Sequence, residues 1–159
     1  MNEARAYLLS LRSQGLLAQA VAAAASIGVA ERLAGGPRPV AALAAELGVD
    51  ADSLYRLLRT LAGHGVFAQT ESGDFTLTET AELLRPGVKG SLYRLLGGEF
   101  SRLVSDAYQE LEGAVRDGDV AFERTHGAPF FDYLAAHPTA NADFDATMAM
   151  VAAAEHPVI

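Results

Sequence analysis

Histidine is the residue type in this chain that could most readily act as a general base or bind a metal ion. The histidines are far apart, no H-E-x-x-H pattern occurs, and there is no cysteine to supply a thiolate ligand. One of them, His126, precedes Gly127 in a predicted loop, where a pocket-lining or capping role is favoured over that of a catalytic base. The sequence therefore predicts no catalytic residue and no metal ligand. The four positions are His64, His126, His137 and His156.

Three phenylalanines and a methionine could instead bind a flat aromatic ligand, because phenyl rings stack and a thioether packs adaptably. They are Phe130, Phe131, Phe144 and Met148, and their spacing places them on helical faces. Apolar residues at this spacing are more often part of a hydrophobic core. The spacing alone leaves both interpretations open.

A glycine-rich turn between a strand and a helix would indicate a nucleotide-type cofactor, because it lets the backbone approach anionic groups closely. No G-x-G-x-x-G pattern occurs in the chain. Neither Gly35-Gly36-Pro37 nor Gly97-Gly98 replaces it, since neither is predicted to lie between a strand and a helix. The sequence therefore predicts no cofactor-binding residue. Gly97-Gly98 is expected to mark a bend or a close approach of two helices.

The elements that position such residues are clearest over residues 40–78. Apolar residues spaced three and four apart predict two helices, the first ended by Gly48 and the second capped by Asp50 or Asp52. Two short strands around a polar turn then predict a β-hairpin. This order is typical of a winged helix-turn-helix. The predicted elements are a helix over Val40–Leu47, a second helix ending at His64-Gly65, and strands over Val66–Gln69 and Phe75–Thr78.

The charges of this winged segment argue against DNA binding. A DNA-binding module needs an excess of Lys and Arg to neutralise phosphates. The second helix offers Arg56 and Arg59, but it begins with two aspartates, and the wing tip carries Glu71 and Asp74. The whole chain has a formal net charge of -8. Nucleic acid is therefore not expected as a partner.

Helices are predicted over most of the remaining chain, and several of them are apolar on more than one side. Such helices must be buried on more than one side, which favours helix exchange in an intertwined homodimer over alanine-rich helices that tolerate exposure. The fold class predicted is mainly α, with a winged-helix core, a small β-hairpin and long helices that form an intertwined dimerisation bundle. The predicted helices are Ala4–Arg12, Leu16–Leu33, Glu79–Leu84, Ser91–Val115, Pro129–Ala136 and one from about Thr139.

Length and composition limit the class of protein. A chain of 159 residues that is half hydrophobic suits one domain with a sizeable core. There is no run of 18 or more strongly apolar residues, and the first residues lack the basic start and apolar core of a signal peptide. A soluble cytoplasmic protein without membrane contact is expected.

Six segments occur in a fixed order along the chain. Their ordered combination is distinctive, whereas no single segment would be. They are IGVAERL (27–33), VAALA (40–44), LYRLLRTL (54–61), GVF (65–67), FTLT (75–78) and the stretch from Tyr108 to Met150. Together they resemble the N-terminal region of S-adenosylmethionine-dependent small-molecule O-methyltransferases, the bacterial polyketide- and anthracycline-tailoring enzymes and their plant relatives. Tyr108 stands where that family often has Trp, a change that keeps an aromatic side chain.

The resemblance implies a dimerisation domain whose winged-helix core does not bind DNA and which closes one side of a substrate pocket. In these terms, residues 1–35 form dimerisation helices, 36–80 the winged core, and 91–159 long helices leading to a cofactor domain expected beyond residue 159. The family's cofactor is S-adenosylmethionine. None is expected to bind this chain alone, which is therefore expected to transfer no methyl group.

In the same family the region after residue 129 faces a flat aromatic substrate. The resemblance therefore implies that Phe130, Phe131, Phe144 and Met148 contact substrate. The function expected is dimerisation and substrate capping for an O-methyltransferase of secondary metabolism that acts on an aromatic polyketide-like product. The alternative is a winged helix-turn-helix regulator that binds DNA or a small aromatic ligand.

Overall fold

A computed structural model describes residues 2–155 of the chain, and His156 lies outside this range. The described residues form two compact units, unit 1 up to Gly97 and unit 2 from Gly98 onward. Both are mainly helical, and the only strands described are those of a two-stranded antiparallel sheet in unit 1. The predicted fold class is thereby confirmed in its helical content, winged core and small hairpin.

Unit 1 begins with one long helix where the sequence predicts two. Helix α1 (Glu3–Ile27) runs without a break through the predicted gap around Gly15, so the prediction of separate helices over Ala4–Arg12 and Leu16–Leu33 is wrong. A single glycine costs only about 1 kcal/mol in a helix, and no proline interrupts this stretch. The helix ends instead at Gly28, whose φ of 84° is left-handed. The first two helices are α1 (Glu3–Ile27) and α2 (Val29–Arg32).

The winged segment follows the predicted order. Gly48 takes a left-handed φ of 68° after the first helix, and the Asp50 carboxylate accepts a hydrogen bond from the Ser53 N–H at 2.8 Å. Hydrogen bonds from the side chain and backbone of Ser53 lower the pKa of Asp50, so this cap is retained in mildly acidic solution. The elements are α3 (Val40–Leu47), α4 (Ala51–Gly63), β1 (Phe67–Gln69), β2 (Phe75–Leu77) and α5 (Glu79–Glu82).

The hairpin gains a further partner that the sequence pattern does not indicate. Arg38 exchanges two backbone hydrogen bonds of 2.9 Å with Phe75, and so adds a single-residue bridge to the edge of β2. Arg38 lies between Pro37 and Pro39, which have no N–H groups and argue against a strand of any length. The bridge joins the segment before α3 to the wing.

The core of unit 1 lies between the long helix, the winged helices and the wing. The Phe75 ring makes an edge-to-face contact with Tyr55, with ring centroids 5.9 Å apart. Helix α1 packs against α4 and α6 (Tyr93–Gly97) through its C-terminal half, where Ala24 and Ala25 are buried. The largest fully buried side chains here are Phe67, Phe75, Leu33, Leu43, Leu58, Leu61 and Val29.

The predicted long helix over Ser91–Val115 is wrong, because the chain leaves the helical conformation twice. Gly98 is extended (φ -71°, ψ 171°), and Glu110 has ψ of 8° at the second break. Gly97 lies so close to α1 that a Cβ atom there would be 2.7 Å from the Ala25 Cβ. The glycine pair therefore marks both a close approach and a break. Three helices replace the predicted one: α6, α7 (Glu99–Gln109) and α8 (Leu111–Asp117).

Unit 2 is a group of helices around a smaller core. The Asp143 carboxylate, only 6% exposed, accepts a hydrogen bond of 2.9 Å from the Glu99 N–H and so caps α7 from a distant helix. The sequence pattern predicts no helix over Ala121–His126 and places His126 in a loop, whereas the structure has a helix there. The buried apolar residues are Leu103, Phe122, Leu134 and Ala140. Helices α9 (Ala121–His126), α10 (Phe130–Ala136) and α11 (Pro138–Glu155) complete the unit.

The N-terminal half of α1 exposes large apolar side chains. Leu8, for example, is 66% exposed, although leucine is usually buried in a folded domain. This is the surface on which the predicted homodimer depends. Within residues 2–155, no helix combines the length and apolar character needed to cross a bilayer. The exposed residues of this half are Tyr7, Leu8, Leu9, Leu11 and Leu16, which we call the α1 apolar surface.

Candidate functional site

The structure brings three of the four predicted substrate-contact residues together in unit 2. Phe130 at the start of α10 has its ring centroid 5.1 Å from that of Phe131 and 5.4 Å from that of Phe144 on α11. Phe131 and Phe144 are 6.3 Å apart, and all three pairs are edge-to-face. Such pairs stabilise a cluster beyond the area they bury. The rings therefore form one aromatic cluster.

Two further rings belong to this cluster that the sequence analysis does not assign to the site. Phe100 on α7 lies 5.3 Å from Phe144, and Phe122 on α9 lies 5.1 Å from Phe130. Phe100 stands in the predicted long helix as one apolar residue among many, and Phe122 lies in a helix that was not predicted. Its spacing of four residues from His126 is the helical signal that could have found it.

The cluster is buried at one end and open at the other. Phe122 is at the edge of the buried core, Phe130 and Phe144 are half-buried, and Phe131 is 71% exposed. Met148 lies one turn beyond Phe144 on α11 and is 41% exposed. An exposed phenylalanine next to an ordered cluster leaves apolar area that a flat ligand could cover. The role of these four residues in binding stays a prediction.

An apolar cavity of about 250 Å³ is lined in part by Phe122 and Phe130 of this cluster. Of the predicted residues only Phe130 contributes to it, while Phe131, Phe144 and Met148 do not. Tyr108, the position noted as often Trp in the resembling family, lines this cavity and is the one lining residue with a polar side-chain group. Such a lining favours an aromatic or aliphatic group over an anion. The lining residues are Val104, Ala107, Tyr108, Leu111, Ala121, Phe122 and Phe130.

His126 has a structural role in this unit. Its Nε2 lies 2.9 Å from the Leu103 carbonyl oxygen, which accepts hydrogen bonds only, so Nε2 donates and carries the proton. The ring packs against Phe122 and Tyr133 at centroid distances of 4.4 and 5.2 Å. The imidazole thus ties α9 to α7. The sequence favours a pocket-lining or capping role over that of a catalytic base, and His126 is not among the residues that line the apolar cavity of this unit described above.

The other histidine of unit 2 that the structure describes marks a helix end. His137 follows the last residue of α10, as its place before Pro138 predicts. Its ring stacks on Tyr133 at 3.8 Å, and its Nδ1 lies 2.7 Å from the Tyr133 carbonyl oxygen. Across the part of the chain that the structure describes, no group of three or more His, Asp or Glu side chains could hold a metal ion.

The family model described as the O-methyltransferase dimerisation domain matches residues 11–86 of the chain. This range covers most of α1, the winged core and α5.

A curated relative and two solved structures extend the similarity into unit 2. The chain is 37% identical to the phenazine O-methyltransferase PhzM of Lysobacter antibioticus over 144 residues, which are 89% of this chain and 41% of that enzyme. The crystal structure of LaPhzM superposes with a TM-score of 0.83 at 35% identity, over 94% of this chain and 45% of that one. The chain therefore spans less than half the length of these relatives.

The second structure contains both a cofactor and an aromatic compound. It is the O-methyltransferase NcsB1 from neocarzinostatin biosynthesis, in complex with S-adenosylmethionine and 2-hydroxy-5-methyl naphthoic acid. The chain is 33% identical to it with a TM-score of 0.74, over 84% of this chain and 41% of that one.

Proposed function

Residues 11–86 belong to the family of O-methyltransferase dimerisation domains, and on this premise we propose that the chain forms the dimerisation and substrate-capping part of an S-adenosylmethionine-dependent O-methyltransferase. The substrate proposed is an aromatic polyketide-like product of secondary metabolism. The observation that carries the proposal is the continuous similarity to PhzM, which extends over both units. The alternative of a DNA-binding regulator is not favoured, because the family match covers the winged segment itself.

The proposed partner is a second copy of the chain. The α1 apolar surface places five large apolar side chains in water, and burying a leucine or tyrosine side chain contributes about 1.5–3 kcal/mol. A second copy that covered this surface would recover that free energy. The C-terminal half of the same helix is already packed in unit 1, so α1 is held rigidly enough to present its other half.

We further propose that the open end of the aromatic cluster contacts the aromatic substrate. Phe131 is the most exposed ring of the cluster, and Met148, one turn beyond Phe144 on α11, supplies a flexible and partly exposed thioether. NcsB1 binds 2-hydroxy-5-methyl naphthoic acid, a flat bicyclic compound whose faces suit edge-to-face and stacked contact with phenyl rings. The described residues would cover one side of such a ligand, so its affinity for the chain alone should be weak.

The naphthoic acid is therefore a direct probe of this surface. We expect it to shift the NMR signals of Phe131 and Met148 with a dissociation constant near the millimolar range, corresponding to about -4 kcal/mol. Met148→Ala should weaken this binding but reduce the free energy of unfolding by less than the ~2–5 kcal/mol of a sealed core site. Leu134→Ala, at a site only 2% exposed, is the matched control and should lose that full range.

One result would show that Met148 has a purely structural role. That result is a loss of about 2–5 kcal/mol for Met148→Ala in urea unfolding with no change in binding of the naphthoic acid. The naphthoic acid could also shift only the NMR signals of residues that line the 250 Å³ cavity. In that case the ligand would contact Tyr108 and Phe130 instead of Phe131 and Met148.

The chain alone is proposed to bind no S-adenosylmethionine with micromolar affinity. Both strands of the described residues belong to the wing hairpin, and neither leads through a glycine-rich turn into a helix, so no cradle for the adenosyl group fits here. Isothermal titration calorimetry should show no saturable heat when S-adenosylmethionine is titrated into the chain in the micromolar range. Saturation in the micromolar range would overturn this part of the proposal.

A further inference from the structure

The apolar cavity of about 250 Å³ in unit 2, which we call the Tyr108 cavity, is only partly used by the proposed function, because neither Phe131 nor Met148 lines it. None of its lining residues carries a charge, and the Tyr108 hydroxyl is the one polar side-chain group among them. Tyr108 and Leu111 are 66% and 52% exposed, although both line a concave apolar surface. Covering such a surface removes apolar area from water and is favourable. Helices α7 and α8 contribute Val104, Tyr108 and Leu111 to the lining, and α9 and α10 contribute Ala121, Phe122 and Phe130.

The helices around the Tyr108 cavity are held together by contacts outside its lining. The Phe122 ring, which belongs to the lining, packs against His126 and Tyr133 at centroid distances of 4.4 and 5.6 Å. Arg124 of α9 forms an ion pair of 2.7 Å with Asp117 at the end of α8. A cavity whose residues are already held in place costs little conformational entropy when a ligand enters it.

The volume and polarity of the Tyr108 cavity define the kind of group that it can accept. An apolar cavity of about 150 Å³ holds a benzene ring, so a cavity of about 250 Å³ has room for roughly ten carbon atoms. A charged or strongly polar group would lose its hydration there without gaining a partner. A short alkyl chain, or a single ring that carries one, fits both the volume and the polarity.

The Tyr108 cavity and the aromatic cluster share a wall. The Phe130 ring lines the cavity, and its centroid lies 5.1 Å from that of Phe122 and 5.1 Å from that of the exposed Phe131. We propose that the Tyr108 cavity binds an uncharged alkyl or aryl substituent of the aromatic substrate whose ring system is held at Phe131. This proposal rests on the proposed function, because it assigns the cavity to another part of the same ligand.

The first test asks whether the Tyr108 cavity of the 159-residue chain binds such a group by itself. The probe is 4-propylphenol, and its matched control is 4-(2-hydroxyethyl)phenol, in which a hydroxyl replaces the terminal methyl group. NMR titration should give 4-propylphenol a dissociation constant near the millimolar range, as expected for a ligand of this size, with shifts in the methyl signals of Val104 and Leu111. The hydroxyl analogue should bind about ten-fold more weakly, because its polar end finds no partner in the cavity.

A substitution that fills the cavity tests whether the probe binds inside it. Ala107 of α7 also lines the cavity, and Ala107→Leu would occupy part of its volume at a helical position that suits leucine. It should weaken the binding of 4-propylphenol at least about five-fold. Ala45→Leu makes the same change at an exposed position of α3 and should leave the affinity within about two-fold.

A second pair of variants at an exposed residue avoids any loss of folding. Tyr108→Ala removes part of the lining at a side chain that is largely in water, and should weaken the binding of 4-propylphenol about three-fold. Tyr108→Phe keeps the ring and should bind the probe as the wild type does. Circular dichroism should show the same helical signal for both variants.

The second test asks whether the cavity and the exposed ring of Phe131 hold parts of one ligand. It uses 2-hydroxy-5-methyl naphthoic acid and a series of analogues that carry a propyl group at each free ring position in turn. At least one analogue should bind about ten-fold more tightly than the parent acid, because its propyl group enters the cavity. Ala107→Leu should abolish this increase without changing the affinity for the parent acid.

Several results would overturn the proposal. They are equal binding of 4-propylphenol and its hydroxyl analogue, an unchanged affinity in Ala107→Leu, or a propyl series in which no analogue binds more tightly than the parent acid. An affinity for 4-propylphenol that falls as self-association of the chain rises would also overturn it, since a second copy would then occupy the cavity. Failure of the parent naphthoic acid to bind at Phe131 counts against the proposed function, whereas failure of 4-propylphenol to bind in the cavity counts against this proposal alone.

Discussion

Replacing Leu8 and Leu11 with glutamate should convert the chain from a dimer to a monomer at micromolar concentration. Both side chains belong to the α1 apolar surface, and neither packs in the core of unit 1. Removing two leucines from an apolar interface costs about 1.5–3 kcal/mol each, and burying carboxylates in their place adds to the loss. The dimer dissociation constant should rise by roughly 100-fold or more, since each 1.4 kcal/mol is about ten-fold. Sedimentation velocity over a concentration series measures this shift.

The control for this experiment introduces the same charge on the same helix. Gln14→Glu with Gln19→Glu changes two exposed polar positions of α1 and should alter the dissociation constant far less. Glutamate has a good helix propensity, so both double variants should keep their helical circular dichroism signal. A wild-type chain that sediments as a folded monomer at micromolar concentration would contradict the homodimer itself. Deleting the first fifteen residues should also weaken association or expose apolar surface.

The winged core could be predicted because its signals are local. The periodicity of Leu54, Leu58 and Leu61 defines the buried face of α4, and Gly48 and Asp50 mark the turn before it. Each of these signals lies within a few residues of the element it determines, so no tertiary information is needed. The bridge between Arg38 and Phe75 was not predictable in the same way, because its two partners are 37 positions apart and prolines flank the first.

The aromatic cluster, in contrast to the winged core, could not be predicted from local signals alone. Phe130 and Phe131 are adjacent in the sequence, and one turn of α11 separates Phe144 from Met148. Spacing therefore selects candidate residues, but it does not show that α10 and α11 bring their rings together. Phe100 and Phe122 join the cluster through the packing of α7 and α9, which depends on contacts between distant segments. The substrate contact itself depends on a ligand and stays a prediction.

At the glycine pair Gly97-Gly98, the local sequence only weakly favours a helix break, and packing determines whether the break occurs. Gly97-Gly98 costs only about 2 kcal/mol in a continuous helix, so the sequence allows either a bend or an unbroken helix. In the structure, Gly97 approaches the backbone of α1 and Gly98 becomes extended. The contact of Gly97 with α1 needs the absence of a side chain at that residue, which periodicity does not reveal.

Replacing Gly97 with alanine should therefore destabilise the chain, although alanine is the better helix former. The added Cβ would lie 2.7 Å from the Ala25 Cβ and 2.8 Å from the backbone nitrogen of Ser26. Contacts below 3.0 Å with backbone atoms cannot be relieved by rotating a side chain, so α1 and α6 must move apart. Overpacking of this kind costs about 1–3 kcal/mol, which exceeds the gain in helix propensity of about 1 kcal/mol.

Urea unfolding followed by circular dichroism measures this loss at one fixed protein concentration, because self-association also contributes to stability. Gly63→Ala is the matched control, since that glycine is also helical but faces open space, and it should raise the free energy of unfolding by about 0.5–1 kcal/mol. The two substitutions are chemically identical, so opposite signs would isolate the contact between α6 and α1. A Gly97→Ala variant as stable as the wild type would show that α1 and α6 can separate at little cost. The close approach would then have no structural importance.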